Sequence, residues 1–429
     1  MFVHVADVAR TPAGSARLGV DLARPGVRWP DLRDRIFGRI DPIAAAGRRY
    51  RAEDNENVTL YEGTARFTGP RRLAVDTAQG TETITADRVV VAAGSRPALP
   101  DLPGLHRTDY LTSDTVMRLD HLPRRMIIMG TGFVSTELAH VFSALGTDIT
   151  LIGRSDRLLR HEDTDVSQRF TDLAADRWDV RLNRTAQRVG HDGDRIRLHL
   201  TGPYGAETVE AEALLVAIGR IPNTDLLDAA AGGLELTERG TIKVDDTQAT
   251  SAEGVWALGD VSSDHQLKHV ANHEARVVQH NLLHPDQPIT SDHRYVPHAV
   301  FSSPKIASVG LTEQDAARRG IPYVTAVQDY AGTAYGWAME DTTGFAKLLA
   351  DPDTGQLLGA HIIGPEAPPH PAPDPGHALR PRRPHHGPRP VLDPPRHART
   401  HRERVAQTRR ARRPMTDRGG HTPGTDPPR

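Results

Sequence analysis

The residues best placed to do chemistry lie in one stretch, Met126-Ile-Ile-Met-Gly-Thr-Gly-Phe-Val-Ser-Thr-Glu137, followed by Asp148-Ile-Thr-Leu-Ile-Gly-Arg154. An apolar run ends at a glycine pair, a helical pattern follows, and a second apolar run comes after it. That is the order strand, tight turn, helix, strand of a dinucleotide-binding unit. Gly130 permits the sharp turn, Gly132 lets backbone approach a pyrophosphate, and Ser135 is small enough for the helix to lie close on the strand. The phosphates would sit at the positive end of that helix. An acidic residue at the end of the second strand would hold a free ribose 2′-hydroxyl. Here the strand ends in Gly153-Arg154, and an arginine favours a 2′-phosphate, so the expected ligand is NADP(H) rather than NAD(H). Arg160 offers a second cationic contact. The bland alternatives are a glycine-rich turn of any α/β protein and, for Arg154, a solvated surface arginine. The full order of strand, helix, second strand and arginine favours the nucleotide.

The elements that would position these residues come from a chain of 429 residues, 38% apolar and 5% aromatic, with a formal net charge of −2. That length allows two or three domains with real cores. The charge is unevenly placed: after Gly364 there are 14 Arg, no Lys and 6 Asp plus Glu, a net of +8, against −10 before it. No run of eighteen apolar residues suggests a membrane span. The N-terminus lacks the basic start and long apolar run of a secretory signal. With 0 cysteines, disulfides and Cys-based zinc sites are excluded from these residues. A soluble, cytoplasmic protein is expected.

Residues 1–50 carry apolar positions at helix-like spacing. From Val58 to Val91 the pattern becomes short strands: 58–61, 64–67, 83–84 and 89–93. The last ends in Gly94-Ser-Arg-Pro97. The same strand-then-glycine grammar returns at Leu214-Leu-Val-Ala-Ile-Gly-Arg220 and Trp256-Ala-Leu-Gly-Asp260. A strand is expected at 241–244 and a helix at 270–283. Residues 294–364 alternate short strands and one helix, an α+β unit. After Gly364 apolar residues almost vanish and 16 of the 33 prolines appear. Such a segment buries too little area to offset its ordering entropy and is read as disordered.

These motifs, with Lys268-His-Val-Ala-Asn-His-Glu-Ala-Arg276 and Val300-Phe-Ser-Ser-Pro-Lys-Ile-Ala-Ser-Val-Gly-Leu-Thr312, resemble the FAD-dependent pyridine nucleotide–disulfide reductases from Met1 to Gly364. Asp292-His-Arg-Tyr-Val-Pro297 and Tyr335-Gly-Trp-Ala-Met-Glu-Asp-Thr342 are most similar to its mycothione-reducing branch. The glutathione, dihydrolipoamide and mercuric enzymes are neighbours. The resemblance implies an α/β fold with two interleaved Rossmann-like nucleotide-binding domains, the FAD domain incomplete, and a C-terminal α+β interface domain. The implied division is 1–122 and 241–293 for FAD, 123–240 for NADP(H), 294–364 for a truncated dimerisation domain and 365–429 for the tail. It implies FAD and NADP(H) as cofactors, a small-molecule disulfide as substrate, and a homodimer in the family.

The resemblance also gives roles to residues. Asp260, after Gly259, would bond the ribityl chain of FAD; an Asx turn is the plain alternative. Lys268 and His269 would begin a helix aimed at the flavin C2 carbonyl, or simply a polar helix start. Phe133 would be an aromatic lid over the flavin, or a core phenylalanine. Glu137 would pair with a lysine beside flavin N5, and that lysine is absent. Gly94 and Gly219 would close turns near the two cofactors, and Arg220 would contact the nicotinamide nucleotide.

Departures from the family are as informative as matches. The family begins with a separate GxGxxG unit for FAD and a Cys-x4-Cys redox pair. It ends with a His-Pro-x-x-x-Glu segment serving as acid–base partner across the dimer. None of these is present, so no catalytic residue is assigned and a dimer is not assumed. Met1 reads as a start internal to a longer frame. The tail reads either as a basic arm touching phosphates, without aromatics to stack on bases, or as GC-rich DNA translated out of frame. The abrupt switch in composition favours the second, so a nucleic-acid partner is not expected.

Overall fold

The computed structural model describes residues 1–23 and 26–367. The chain divides into two units, Met1–Leu379 and Arg380–Arg429, and all described residues belong to the first. The reading of the Pro- and Arg-rich tail from 368 onward lies outside the described residues.

Two helices open the chain, α1 (Phe2–Ser15) and α2 (Trp29–Ala52). Pro30 and Asp31 in the first turn of α2 suit a helix start, where an amide hydrogen is unneeded and negative charge meets the dipole. Trp29, Leu32 and Ile36 recur on one face and are buried. The Trp29 ring packs on Phe2 at 5.6 Å and on Phe142 at 5.8 Å between centroids. Its indole N–H donates to the carbonyl of Leu119 at 2.6 Å. One aromatic cluster thus fastens both opening helices to the nucleotide unit.

That unit is a five-stranded parallel sheet in the order Tyr110–Leu111, Ala213–Val216, Arg125–Met129, Asp148–Ile152, Asp179–Arg181. Alternate side chains of its central strand serve two cores, as a period of two requires. Met126 and Ile128 pack under the helices α3 (Phe133–Ala144) and α4 (Thr164–Ala175). Ile127 and Met129 face a three-stranded antiparallel sheet, Thr185–Asp192, Arg195–Gly202 and Gly205–Ala211, with Val189, Leu198 and Leu200. Both faces are covered, so the strands read as continuous apolar runs.

The other half is slighter. Val89–Val91 pairs in parallel with Val255–Ala257, and a ribbon of Ser95–Pro97 against Arg220–Pro222 bridges to the nucleotide unit. A three-stranded meander, Gly63–Gly69, Arg72–Thr77 and Gly80–Thr85, contributes Phe67 to this core. The helix α5 (Lys268–Leu283) follows. The two strands that share the apolar-then-glycine grammar differ in their neighbours. Ala213–Val216 is flanked on both sides and wholly buried, whereas Val89–Val91 is flanked on one side among the described residues. Val90 is 41% exposed, beside an apolar slot walled by Leu258, Val278, Leu282 and Leu283.

The C-terminal part is a five-stranded antiparallel sheet in the order His298–Val300, Lys305–Gly310, Leu357–Gly364, Phe345–Ala350, Val324–Asp329. Helices α6 (Glu313–Arg319) and α7 (Ala334–Ala338) accompany it. No described helix is long and apolar enough to cross a membrane.

Three sequence expectations need correction. Residues 58–61 form no strand; the chain stays irregular until Gly63, where Phe67 first supplies a buried anchor. Residues 241–244 make isolated bridges, Leu236 with Ile242 and Val244 with Thr250, because the backbone pairs with a different short segment at each position and no continuous ladder forms. Residues 294–364 hold two helices, the second a five-residue turn capped by the Thr333 hydroxyl accepting from Gly336 N–H, too short to show a helical period.

Candidate nucleotide-binding site

The strand Arg125–Met129 ends at Gly130, whose φ of 138° lies in the region that favours glycine. A Cβ there would meet the carbonyl oxygen of Ala217 at 2.1 Å. The turn therefore requires glycine for contact as well as conformation. At Gly132 a Cβ would meet nothing within 4 Å; the space in front of it is open cleft. Gly132 is the N-cap of α3 and no side chain caps that end. Ser135 is fully buried and its hydroxyl donates to the Gly132 carbonyl at 2.7 Å, so it locks the turn without using up a helix-end amide. The N-terminus of α3 thus presents uncapped amides to the cleft, as anion binding needs.

The cleft has a volume of about 660 Å³ and is bounded by 130–134, 152–155, Arg160, Arg184 and 216–220. Arg154 and Arg160 both lie on its wall, exposed. Neither forms an ion pair among the described residues. Thr131 and Ser155 join across the strand ends at 3.0 Å between hydroxyls, tying the glycine loop to the loop that carries Arg154. Gly153 has no room for a side chain: a Cβ would meet Thr131 Cγ2 at 2.0 Å. A dinucleotide with one phosphate more at its ribose fits this donor set: open amides at one end, two unpaired arginines at the other.

Phe133 is 44% exposed and lines the same cleft, so it is no core residue. Glu137, one helical turn on, accepts the Phe301 backbone N–H at 2.8 Å. Burial pushes its carboxyl above the usual range, opposed by that amide. That backbone amide is the donor Glu137 meets, and no ion pair of Glu137 occurs among the described residues.

Arg220 and Asp260 prove to be linked. Arg220 Nε donates to the Ser95 hydroxyl and its Nη2 to the Ser95 carbonyl, both at 2.7 Å. The Ser95 hydroxyl donates in turn to Asp260 Oδ2 at 2.7 Å. Ser95 follows Gly94, and Arg220 follows Gly219, so the paired turns of the bridging ribbon bring the halves into one hydrogen-bonded chain. Ser95 was not among the residues singled out from sequence; a serine after a strand-end glycine carries no signal by itself. Gly259 N–H donates to the buried Glu274 at 2.6 Å, which holds the Asp260 turn against α5. Lys268 and His269 are exposed at the start of α5. The Lys268 ammonium turns along its own helix to Asn272.

The described residues do not offer FAD a complete site. Gly94, Gly259 and Asp260 gather at strand ends, but no second glycine turn leading into a helix stands beside Val89–Val91 to receive an adenosine diphosphate. Asp260 is already engaged by Ser95.

Parallel strands, the glycine turn and the arginine-edged cleft define a dinucleotide-binding α/β protein, joined to an antiparallel interface-type sheet. The chain belongs to the pyridine nucleotide-disulphide oxidoreductase family: the family model matches residues 29–275, and the family's dimerisation-domain model matches 296–369. It is 49% identical over 375 residues to mycothione reductase of Mycobacterium tuberculosis (strain ATCC 25618 / H37Rv), covering 86% of this chain and 80% of that one. Mercuric reductase of Streptomyces lividans is 34% identical over 362 residues, 82% of this chain and 74% of that one. The structure of the Cu(II) complex of the HOCl-induced flavoprotein disulfide reductase RclA from Escherichia coli superposes with a TM-score of 0.72. It has 26% identity and covers 85% of this chain and 78% of that one. The family implies FAD and nicotinamide nucleotides as cofactors. These 429 residues hold 0 cysteines, and so no redox-active disulfide.

Proposed function

We propose that this chain is a mycothione reductase-like scaffold that binds NADP(H) at the Gly130–Arg154 cleft and does not itself reduce a disulfide. The observation that carries the reading is the cleft: uncapped α3 amides beside Gly132, with Arg154 and Arg160 on its wall and without ion pairs among the described residues. The amides and helix dipole hold the pyrophosphate. Arg154 pairs with a 2′-phosphate through a charge-assisted contact that NADH cannot make. When bound, NADPH would carry a hydride available to an acceptor at the nicotinamide end, while these residues hold its phosphates. Phe133 lines the cleft, and Glu137, kept protonated more readily by burial, has no cation paired with it among the described residues. Disulfide exchange needs a thiolate nucleophile, and none is present. Mycothione is the substrate suggested by the resemblance to mycothione reductase; the homodimer is suggested by the dimerisation-domain match.

Titrating the full chain with NADPH and NADH tests the cofactor reading. The expected result is tighter binding of NADPH, weakened by Arg154→Glu about 30-fold or more, since a charged hydrogen bond is worth roughly 1.5–3 kcal/mol and the new carboxylate repels. NADH affinity stays within about twofold. Equal affinities for the two nucleotides in the wild-type chain would overturn it.

A further inference from the structure

We propose that Glu162 is a positioning residue for NADP(H) selectivity: its buried carboxylate, clamped by His298 and Ser308 of the C-terminal sheet, fixes the turn that presents Arg160 to the ribose 2′-phosphate. Resting on the NADP(H) reading of the cleft, this gives the selectivity a source outside the cleft lining, to which Glu162 does not belong.

Arg160 and His161 are exposed and both line the cleft. They are the two central residues of a turn, closed by the Glu162 N–H donating to the Leu159 carbonyl at 2.9 Å. The corners of the turn are buried, Leu159 4% and Glu162 6% exposed. Leu159 has a φ of 52°, which a residue with a side chain keeps only where its surroundings dictate it. Its N–H donates to the Thr131 carbonyl at 2.8 Å, so the first corner is tied to the glycine loop. Burial, then Arg160, push His161 toward its neutral form, which leaves Arg160 as the cation of the turn.

The second corner is tied to the C-terminal sheet. Glu162 Oε1 accepts from His298 Nε2 at 2.8 Å and Oε2 from the Ser308 hydroxyl at 2.6 Å. His298 and Ser308 lie opposite each other on paired strands, so one cross-strand pair takes both carboxylate oxygens. The Glu162 carbonyl accepts from Gln314 Nε2 of α6 at 2.8 Å. Burial pushes the Glu162 carboxyl up, but His298 and Ser308 outweigh it and hold it below the usual range. Burial likewise pulls His298 down, and its bond to Glu162 holds it above. A carboxylate this buried is tolerated only when paired and hydrogen-bonded. The next residue, Asp163, is committed to the α4 cap and to Lys347, so the Glu162 side chain is what fastens the turn itself. A turn held at both corners brings its arginine to the ligand already placed, and less ordering entropy is lost on binding. NADH has no 2′-phosphate, so the placement of Arg160 bears on NADPH alone.

The test titrates the full chain with NADPH and with NADH, in the wild type, Glu162→Gln, Arg160→Gln and the double variant. Glutamine keeps the shape of Glu162 but cannot accept from both His298 and Ser308. The expected result is an NADPH Kd raised about fivefold in Glu162→Gln and at least about tenfold in Arg160→Gln, with NADH within about twofold in both. In the double variant the NADPH Kd should lie within about twofold of Arg160→Gln alone, because Glu162 acts through that side chain. His298→Gln opens the same clamp from the sheet, at a side chain 37% exposed, and should show the same NADPH-specific loss; it decides the matter if Glu162→Gln does not fold. Equal weakening of NADPH and NADH would mean a merely structural Glu162 and overturn the proposal. So would effects of Glu162→Gln and Arg160→Gln that multiply in the double variant. A wild-type preference for NADPH that survives Glu162→Gln and His298→Gln overturns this proposal alone. Equal wild-type affinities for the two nucleotides would remove the NADP(H) reading and this proposal with it.

Discussion

At the scale of single residues, the structure makes His140 a gauge of pH. It is fully buried on α3, Nε2 faces Asp7, and burial lowers it to about 4 from the ordinary 6.5, with Asp7 opposing. The depressed value means the unfolded chain binds the extra proton first. The stabilising contribution is therefore fully present above pH 6.5 and is lost as pH falls through 4. The size is roughly 3 kcal/mol, from about 1.4 kcal/mol per pKa unit. Stability measured by urea unfolding from pH 7 to 4 should fall by that order, and His140→Gln should flatten the fall. A slope unchanged by the substitution would remove His140 from the explanation. The glycine and arginine positions of the cleft were legible because each answers a backbone or charge requirement that few residue types meet. Ser95, Glu162 and His140 were not. Their roles come from partners far away in the chain, Asp260, His298 and Asp7, and periodicity carries no record of such pairings.

At the scale of elements, the C-terminal sheet is held to the nucleotide unit by a buried cation. Lys347, on the Phe345–Ala350 strand, is 1% exposed. Its ammonium meets Asp163 at 2.9 Å, Asp165 at 2.6 Å and Glu313 at 2.5 Å. Asp163 caps α4, and Glu313 opens α6. One side chain therefore neutralises the acidic starts of two helices. Lys347→Met would leave three carboxylates without their cation, and the expected cost is about 3 kcal/mol, at the lower end for a buried pair because Asp165 and Glu313 are partly exposed. A loss under about 1 kcal/mol by chemical denaturation would show that water already compensates them. Sequence patterning marked 294–364 as short strands with one helix, yet a lysine in an apolar strand gives no hint of three acids contributed by two other elements. The misplaced strands at 58–61 and 241–244 fail for a related reason: β-prone residues form ladders only where a partner edge is offered.

At the scale of the whole molecule, the two strand–glycine units are built alike and completed unequally. The nucleotide sheet closes around its central strands, whereas Val89–Val91 leaves one edge without a strand among the described residues, next to an apolar slot. Open apolar edges promote association between chains. Val90→Lys is expected to raise the soluble fraction in a centrifugation assay and leave NADPH affinity within about twofold, because Val90 lies outside the cleft. An unchanged soluble fraction would locate the association elsewhere.

The central claim is that nucleotide binding survives in this chain without disulfide chemistry. It is tested most directly on one anaerobic sample holding the full chain, NADPH, FAD and mycothione, with nucleotide fluorescence and free thiol recorded together. The account predicts a saturating fluorescence change on NADPH binding and no thiol above the protein-free control. Thiol released in proportion to the chain present would contradict it, since 0 cysteines leave no protein nucleophile to produce it.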